Sequence, residues 1–416
     1  MTAPGRHRIA DQPIGRRIAQ LRARRGLTQQ VFADRIGKSH SWVDKVERGI
    51  RSLDRISVVH TVAAVLGVTP EVILGPTTAS RPEPATDTTT AAVEHLRTAL
   101  ARYDTPTPDQ PTPPADDLHH RIQYAHTAYQ HAHYPQLLRT LPDLLTHTRH
   151  TTTSDAPPDT AYLLTRVYRL TAHLLTKLAE PHLAWLAADR AIATANGHPR
   201  HTAAAAIALT QALRALHRPT LATQAALTAV PLITPATTDH PAPDDQALAG
   251  TLLIEAALAA ATGNDPATAH QLTDHADTLA ATMSHHQRRP DHGDTTTAFG
   301  PTTVKLARAH LAAHLAAALG DPHQAITHHQ HATAGHGWRQ LPAEHRAAHL
   351  IDITRAYLDT GNPTAAARAI IAADQIAPAE TRTRPTAHTV VATLLRTAPT
   401  PGLTRLATTI GLTPRT

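Results

Sequence analysis

Apolar residues recur along the chain at intervals of three and four, the spacing of one face of an α-helix. From Leu118 onward, Ala- and Leu-rich segments with this spacing alternate with short turns that contain proline. Glycine ends a helix in the left-handed conformation, and proline opens the next helix at its first turn. Such turns are Ala179–Pro181, His217–Pro219, Gly263–Pro266, Gly320–Pro322 and Gly361–Pro363. The pattern predicts an all-α protein.

Changes of composition divide the chain into three parts. Residues 1–75 have compact helical periodicity with glycine-marked breaks, and residues 76–117 are rich in proline and threonine. Proline-rich segments favour extended, solvated chain, so 76–117 are expected to form a linker. The linker contains one predicted helix, 91–103, whose Val93, Leu96 and Leu100 need a surface to dock on. Residues 118–416 are predicted to form an α-helical regulatory and dimerisation domain.

The first part predicts five helices in about 62 residues. Gly26, Gly37 and Gly49 separate the first four, while Thr28 and Ser39 are placed to cap the second and third. The predicted helices are Pro13–Arg25, Gln29–Ile36, a third from Ser39 to Arg48, Leu53–Leu66 and Pro70–Leu74. On the third helix Val43 and Val46 are expected to point inward, against Phe32, Ala33 and Ile36 of the second. His40, Ser41, Asp44, Lys45 and Arg48 are left on the outer face.

These residues resemble a Cro/C1-type (XRE-family) helix-turn-helix domain. The resemblance implies that the third helix enters the DNA major groove and reads base edges near its N-terminus. It places Lys45 as a donor to guanine and Asp44 as a group that reads or repels bases. It also implies that Gln29 touches phosphate and supports the reading helix, and that Arg22 and Glu47 pair to tie helix one to helix three. The DNA-binding residues implied are Gln29, Ser39, His40, Ser41, Asp44, Lys45, Arg48 and Arg51.

The carboxyl-terminal part resembles a tetratricopeptide-like repeat domain. The residues that carry this resemblance are Leu350, Ile353, Tyr357, Gly361, Ala366, Ile370, Ala373 and Pro378. The repeats are unequal in length, so an irregular helical-repeat solenoid is expected, with an ordinary helical bundle as the alternative. The domain order, together with the stretch from Phe299 to Thr302, is similar to that of actinobacterial regulators.

Charge is concentrated at the amino end. Residues 1–75 hold 13 Lys and Arg against 6 Asp and Glu, and the remainder holds 26 against 27. A basic module on a near-neutral body is typical of a protein that binds a polyanion. Apolar runs are shorter than a membrane span, and the N-terminus lacks a signal peptide, so no membrane partner and a cytoplasmic location are expected.

The sequence offers little chemistry for catalysis. Its zero cysteines exclude thiolate sites, and no nucleophile elbow, phosphate loop or dinucleotide motif occurs. The 32 histidines produce pairs at helical spacing by chance alone, so surface histidine is favoured over metal binding. The chain is therefore interpreted as a non-enzyme without a cofactor or metal. Phe299, Trp338 and Tyr357 are candidates for an effector pocket, although Phe299 can equally seal a long loop.

The function favoured by these patterns is sequence-specific transcriptional regulation. A homodimer on a palindromic operator in double-stranded DNA is expected, with the solenoid sensing a small molecule, a peptide or a protein. Peptide-pheromone regulators grip peptides through helix-borne asparagines, whereas Asn196, Asn264 and Asn362 fall at predicted turns. The alternative is a repeat scaffold for proteins, in which the helix-turn-helix is only a docking module.

Overall fold

The computed structural model describes residues 14–48, 56–66, 68, 85–102, 114–151, 158–234, 242–284, 298–319, 321 and 323–412. Within these ranges the regular structure consists of 21 α-helices without a strand, which confirms the all-α prediction. The chain divides into an amino-terminal unit, Met1–Glu83, and a carboxyl-terminal unit, Pro84–Thr416. The predicted helix Pro70–Leu74 and Arg51 lie outside the described residues.

The amino-terminal unit contains four described helices, each within three residues of its predicted start. Gly26 and Gly37, which both have φ +65°, end α1 and α2 in the left-handed conformation that glycine adopts without strain. The Thr28 and Ser39 hydroxyls accept hydrogen bonds from the amides of Val31 and Trp42, each at 3.2 Å, and so cap α2 and α3. The helices are α1 (Ile14–Arg24), α2 (Gln29–Arg35), α3 (His40–Glu47) and α4 (Ile56–Leu66).

A small core fixes the angles between these helices. The five side chains expected to point inward from α2 and α3 are all buried: Phe32, Ala33, Ile36, Val43 and Val46. Ile18 and Leu66 complete this core from α1 and α4. Helix α1 approaches α3 so closely at Gly15 that an added Cβ would lie 2.2 Å from the Val46 carbonyl oxygen. The position therefore requires glycine.

The carboxyl-terminal unit is built from helices that pack in sequential pairs, as in a helical repeat. Most begin with proline at the first turn, as the turn pattern predicts. The described helices are α5 (Ala85–Ala101), α6 (Ala115–Gln130), α7 (Tyr134–Thr151), α8 (Pro158–Lys177), α9 (Pro181–Thr194), α10 (Pro199–Ala215), α11 (Pro219–Ile233), α12 (Pro243–Thr262), α13 (Pro266–Ser284), α14 (Pro301–Leu319), α15 (Gln324–Ala334), α16 (His336–Gln340), α17 (Ala343–Asp359), α18 (Pro363–Ile376), α19 (Pro378–Thr383), α20 (Pro385–Thr397) and α21 (Pro401–Thr409).

The pairs form two layers, and the inner layer closes on itself. The inner helices are α6, α8, α10, α12, α14, α17 and α20, and each contacts the next one in this series. Helix α17 also contacts α6, which brings the two ends of the array together. One continuous apolar core accordingly contains residues from both ends, such as Leu118 and Leu394. The sequence predicts a solenoid but not this closure.

Small side chains allow the layers to approach. Ala184, Ala187, Ala188 and Ala191 along α9 are all fully buried. Because alanine carries little bulk and no polar side-chain atom, its helices pack closely without burying an unsatisfied group. This is how a chain with 3% aromatic residues builds a core.

The helix expected within the linker belongs to the carboxyl-terminal unit. It spans Ala85–Ala101, and Val93, Leu96 and Leu100 are buried in the main core of that unit. The guanidinium groups of Arg149 and Arg190 donate to the carbonyl oxygens of Ala99 and Leu100 at its C-terminal end. The domain boundaries read from the sequence stay a prediction, and the proline-rich segment 104–113 lies outside the described residues.

The predicted turn positions of two asparagines match left-handed backbone. Asn196 and Asn264 have φ of 49° and 58°, and Asn362 caps α18 by accepting from the Ala365 amide at 3.0 Å. These side chains serve turns rather than a binding surface.

None of the described helices combines the length and apolar character required to span a bilayer.

Phe299 occupies a notch made by a glycine on the neighbouring inner helix. Its side chain is 2% exposed and packs with Ala247, Leu253 and Val304. A Cβ added at Gly250 would lie 2.1 Å from the Phe299 ring. The ring is therefore part of the core where α14 begins, and the choice between a pocket residue and a plug stays a prediction.

Replacing Gly250 with alanine is expected to destabilise the protein by about 1–3 kcal/mol, because overpacking forces the ring to move. Alanine at an unhindered helix position would instead stabilise by about 1 kcal/mol. The control for steric overlap is Gly335→Ala, which lies in extended backbone between α15 and α16, where an added Cβ meets nothing within 4 Å. Thermal unfolding of both variants checks this, and equal midpoints would contradict the packing argument.

Candidate DNA-binding surface and central cavity

The predicted reading helix, α3, presents a polar outer face. Ser39, His40, Ser41, Lys45 and Arg48 are exposed, and Asp44 is half-buried. The inner face is occupied by Val43 and Val46, so the outer side chains project away from the core of the unit. Serine, histidine and lysine can each donate to base edges in a major groove.

An ion pair holds α3 against α1. The Arg22 guanidinium donates to both carboxylate oxygens of Glu47, at 2.6 and 2.9 Å, and to the Leu27 carbonyl oxygen at 2.7 Å. The hydrogen bond that Arg22 donates to Glu47 raises the pKa of Arg22, so the guanidinium stays charged. The Gln29 amide donates to the same carboxylate at 2.8 Å. Helix α3 is thereby fixed to both α1 and α2.

Two further contacts shape the surface around α3. The Arg48 guanidinium pairs with Asp44 one turn earlier, which offsets the negative charge of Asp44 on the outer face. The Lys38 ammonium lies 6.0 Å from the centroid of the Trp42 ring. The half-buried Trp42 thus supports a second cation at the start of the helix. Contact of these residues with DNA stays a prediction.

The carboxyl-terminal unit surrounds a central cavity of about 1050 Å³. Its wall is formed by the inner helices α6, α8, α10, α12, α14, α17 and α20 and by Phe299. Apolar residues such as Ile207, Ile254 and Leu306 provide much of the wall. Arginine, lysine, histidine and carboxylate side chains interrupt this apolar surface.

A buried charge network closes the wall where the two ends of the array meet. Lys177 on α8 pairs with Glu344 on α17 and lies 3.0 Å from the Glu380 carboxylate. Arg384 bridges Glu380 and Asp352 at 3.1 and 3.3 Å. Burial acts to lower the pKa of Arg384, but these carboxylates outweigh it and raise that pKa overall. Each charged group of the network has a partner of opposite sign, which offsets the cost of burying it.

Three further contacts join neighbouring helices of the cavity wall. Glu255 on α12 accepts from the Gln211 amide at 2.6 Å and from Arg214 at 3.3 Å. Gln211 in turn lies 2.9 Å from His173 Nδ1 on α8. These bonds connect three successive inner helices, α8, α10 and α12.

Three imidazoles form a stack beside α17, and two of them, His310 and His349, line the cavity. His349 Nε2 lies 2.8 Å from His329 Nδ1, and the His310 ring stacks on His349 with centroids 5.4 Å apart. Burial, followed by the charges of His310 and His329, lowers the pKa of His349 well below its usual value. Among the described residues, no group of three or more histidine, cysteine or carboxylate side chains could hold a metal ion.

The aromatic residues proposed for an effector pocket are placed differently. Phe299 lines the cavity, and its side chain is buried. Trp338 and Tyr357 are outside the set that lines the cavity; their rings pack against His349 and His329, with centroids 5.8 and 6.0 Å apart. Their role in effector binding stays a prediction.

Sequence reasoning missed most of the polar wall. On α8 it is formed by Arg166, Arg169, His173 and Lys177. These positions follow a spacing of three and four, so a charged stripe on a mostly apolar helix was the available signal. The proximity of the two ends of the array has no local signal of this kind.

Buried histidines on the wall make the fold acid-sensitive. Burial, helped by Arg169, lowers the pKa of His173 to about 4. Burial also lowers the pKa of His310 to about 4 against the attraction of Asp352. Because both rings take up protons more readily when unfolded, their stabilisation is present above about pH 6.5 and is lost as pH falls towards 4.

The midpoint temperature of unfolding should therefore decrease as the pH is lowered from 6.5 to 4. His310→Asn should reduce the slope of this midpoint against pH. His336→Gln, at an exposed position, is the control and should leave the slope unchanged. Melting curves at half-unit pH steps measure the effect. An identical slope in His310→Asn and the unmodified protein would refute the assignment.

Comparisons with known proteins agree with the amino-terminal geometry. Residues 13–73 match the family described as a helix-turn-helix domain. The amino-terminal unit therefore contains a helix-turn-helix domain of the class that binds DNA.

Beyond that domain the comparisons are weak. No curated protein matches the chain. Among solved structures, the crystal structure of Bacillus thuringiensis PlcR in complex with the peptide PapR7 and DNA shows 13% identity. It covers 66% of this chain and 99% of that chain with a TM-score of 0.28. Similarity at that level carries no argument about this protein.

Proposed function

We propose that the protein is a sequence-specific DNA-binding transcriptional regulator of the Cro/C1 type (XRE family). The observation that carries this proposal is the exposed polar face of α3, held rigidly by Arg22, Gln29 and Glu47 inside a helix-turn-helix domain. A fixed helix with donors near its N-terminus suits the major groove. Ser41 and Lys45 are assigned to base reading, and Arg48 to the DNA backbone. Such a protein acts in the cytoplasm.

We further propose that the regulator is a homodimer on a palindromic operator. A single helix-turn-helix buries modest surface, so two reading helices about 34 Å apart are needed for specificity. The carboxyl-terminal unit is assigned the dimer contact. Large apolar side chains exposed on α9 and α11 support this, namely Trp185, Leu221, Leu227 and Leu232. The central cavity is assigned to an effector that changes dimer geometry.

The test is selection of binding sites from random duplex DNA by the full chain. Enrichment of a palindrome with half-sites about one helical turn apart is expected. Footprinting should then protect both half-sites. Protection of one half-site would overturn the dimer, and the absence of any enriched motif would favour the protein scaffold instead.

Salt dependence is a weaker criterion and does not replace this experiment. Lys and Arg contacts with phosphate release counterions whether or not the sequence is read. Both specific and non-specific binding therefore weaken as salt increases. The specificity ratio between the selected duplex and a scrambled duplex is the informative quantity.

A further inference from the structure

The apolar part of the cavity wall leads directly to a group of histidines. Ile207, Ile254 and Leu306 line the cavity from α10, α12 and α14. Leu306 lies one turn before His310 on α14, and residues four apart share a helix face. The volume of about 1050 Å³ is at the upper end of the range for small-molecule sites. An apolar molecule bound against these side chains would therefore extend to His310.

Two histidine pairs meet in this part of the wall. His310 and His314 lie one turn apart on α14, His345 and His349 lie one turn apart on α17, and all four line the cavity. The two helices contact each other, and the His310 ring stacks on His349 with centroids 5.4 Å apart. The spacing within each pair is common in a sequence so rich in histidine, whereas the meeting of the pairs depends on the packing of α14 against α17.

His310 and His349 each carry a buried nitrogen atom without a hydrogen bond. His349 is 3% exposed, and its Nε2 lies 2.8 Å from His329 Nδ1, whereas no described group is in hydrogen-bonding position to its Nδ1. His310 Nε2 lies 3.4 Å from an Asp352 carboxylate oxygen, in a geometry that forms no hydrogen bond. A buried polar atom without a partner costs free energy, and a bound group that supplies the partner removes this cost.

The surroundings favour an uncharged group at these two rings. Burial lowers the pKa of His349 well below its usual value, and His310 and His329 act in the same direction. Burial also lowers the pKa of His310 to about 4, although Asp352 opposes it. At neutral pH both rings are uncharged, so a ligand anion gains no positive charge from them and lies close to the Asp352 carboxylate. A ligand cation is no better placed, because Asp352 is already paired with Arg384 at 3.3 Å.

A hydroxyl group matches both nitrogen atoms. In a neutral imidazole one nitrogen donates a hydrogen bond and the other accepts one, and the bond between His349 and His329 is compatible with either direction. A hydroxyl can both donate and accept, so it satisfies the remaining nitrogen in either tautomer, whereas a carbonyl oxygen satisfies only a donor.

We propose that the cavity binds an uncharged, largely apolar alcohol or phenol, whose hydroxyl bonds to His310 and His349. Its apolar body packs against Ile207, Ile254 and Leu306. The two unpaired nitrogens are covered by neighbouring atoms in this structure, so the rings turn to meet the hydroxyl. The inference rests on the proposed function only in treating this molecule as the effector, and binding itself is independent of DNA.

The first test uses the unmodified full chain without DNA and the uncharged fluorescent probe phenylnaphthylamine. Three competitors carry one substituent at the β position: naphthol is a phenol, decahydronaphthol is the saturated alcohol, and naphthoate carries a carboxylate. At least one hydroxyl compound is expected to displace the probe at least tenfold better than naphthoate, and the tighter of the two distinguishes a phenol from an alcohol. Equal or better displacement by naphthoate, or no displacement by either hydroxyl compound, would overturn the proposal.

The second test removes the imidazole nitrogens. His310→Phe combined with His349→Phe keeps aromatic rings in the wall, and methylnaphthalene replaces the naphthol hydroxyl by a methyl group of similar size. The double variant should bind naphthol at least fivefold less tightly and change methylnaphthalene less than twofold, after correction for the affinity of the probe in each variant. Equal changes for the two compounds would overturn the hydrogen-bond assignment.

Two further variants provide the matched comparison. Ile254→Ala removes apolar wall and should weaken naphthol and methylnaphthalene by a similar factor of at least three. His275→Phe, at an exposed position of α13, should leave both compounds unaffected. Unchanged binding of both compounds to Ile254→Ala would overturn the placement of the apolar body.

The competition between naphthol and naphthoate needs no variant, so it decides the charge of the ligand even where the double variant fails to fold. Site selection on random DNA is measured separately. Failure of the regulator proposal is therefore distinguishable from failure of this one.

Discussion

Glu380→Ala is expected to lower the free energy of unfolding of the carboxyl-terminal unit by about 3–5 kcal/mol. The Glu380 side chain is fully buried and bonds with Lys177, Arg384 and the Tyr134 hydroxyl. Its removal leaves two buried cations to share the remaining carboxylates of Glu344 and Asp352. The cost arises from burying charge that is no longer fully compensated, rather than from lost packing.

Urea denaturation of the full chain, followed by far-ultraviolet circular dichroism, measures this loss. The control is Glu94→Ala, which removes a carboxylate that is 63% exposed and paired with Arg97. An exposed pair of this kind contributes at most about 1 kcal/mol. Glu380→Gln should fall between the two, since it keeps an acceptor for Tyr134 but loses the charge. Similar midpoints for Glu380→Ala and Glu94→Ala would show that the network does not stabilise the fold.

Lys45→Ala is expected to abolish most of the specific DNA affinity while leaving the fold intact. A lysine contact with a guanine edge contributes roughly 1–3 kcal/mol, and the proposed dimer carries two copies, so the loss is roughly 2–6 kcal/mol. Lys45 is exposed and forms no part of the amino-terminal core. Its removal should therefore not change thermal stability.

Fluorescence anisotropy with the selected duplex and a scrambled duplex measures the effect. Specific affinity should fall far more than non-specific affinity, because a base contact is lost rather than a phosphate contact alone. Lys305→Ala, an exposed change in the carboxyl-terminal unit, is the matched control and should bind as the unmodified protein does. Equal losses on both duplexes would assign Lys45 to the phosphate backbone.

Local signals were sufficient to predict the four described amino-terminal helices and the inward face of α3. Thr28 and Ser39 cap helices through contacts within three residues, and Val43 and Val46 follow helical spacing. Most helix starts in the carboxyl-terminal unit were also predictable, because proline stands at the first turn of most of these helices, although Pro142 and Pro231 lie inside α7 and α11. The all-α class required no more than these patterns.

The cavity and its charge network depend on contacts that no local pattern specifies. Lys177 on α8 contacts Glu380 on α19 only because the carboxyl-terminal helices pack against the first helices of the array. The requirement for glycine at position 250 likewise cannot be predicted from the sequence, because it depends on the distant Phe299 ring packing against it. Phe299 is one of two phenylalanines in the chain, whereas the wall is formed mostly by common residues on successive helices.

The meeting of the two ends also has a consequence for how the protein folds. An open repeat array can nucleate anywhere and grow by adding neighbours. Here the Tyr134 hydroxyl donates to a carboxylate 246 residues further along the chain. Contacts between residues so far apart in the chain form slowly. During synthesis, the first helices leave the ribosome before the helices that they contact have been made, so the carboxyl-terminal unit can complete its fold only after synthesis of its last helices.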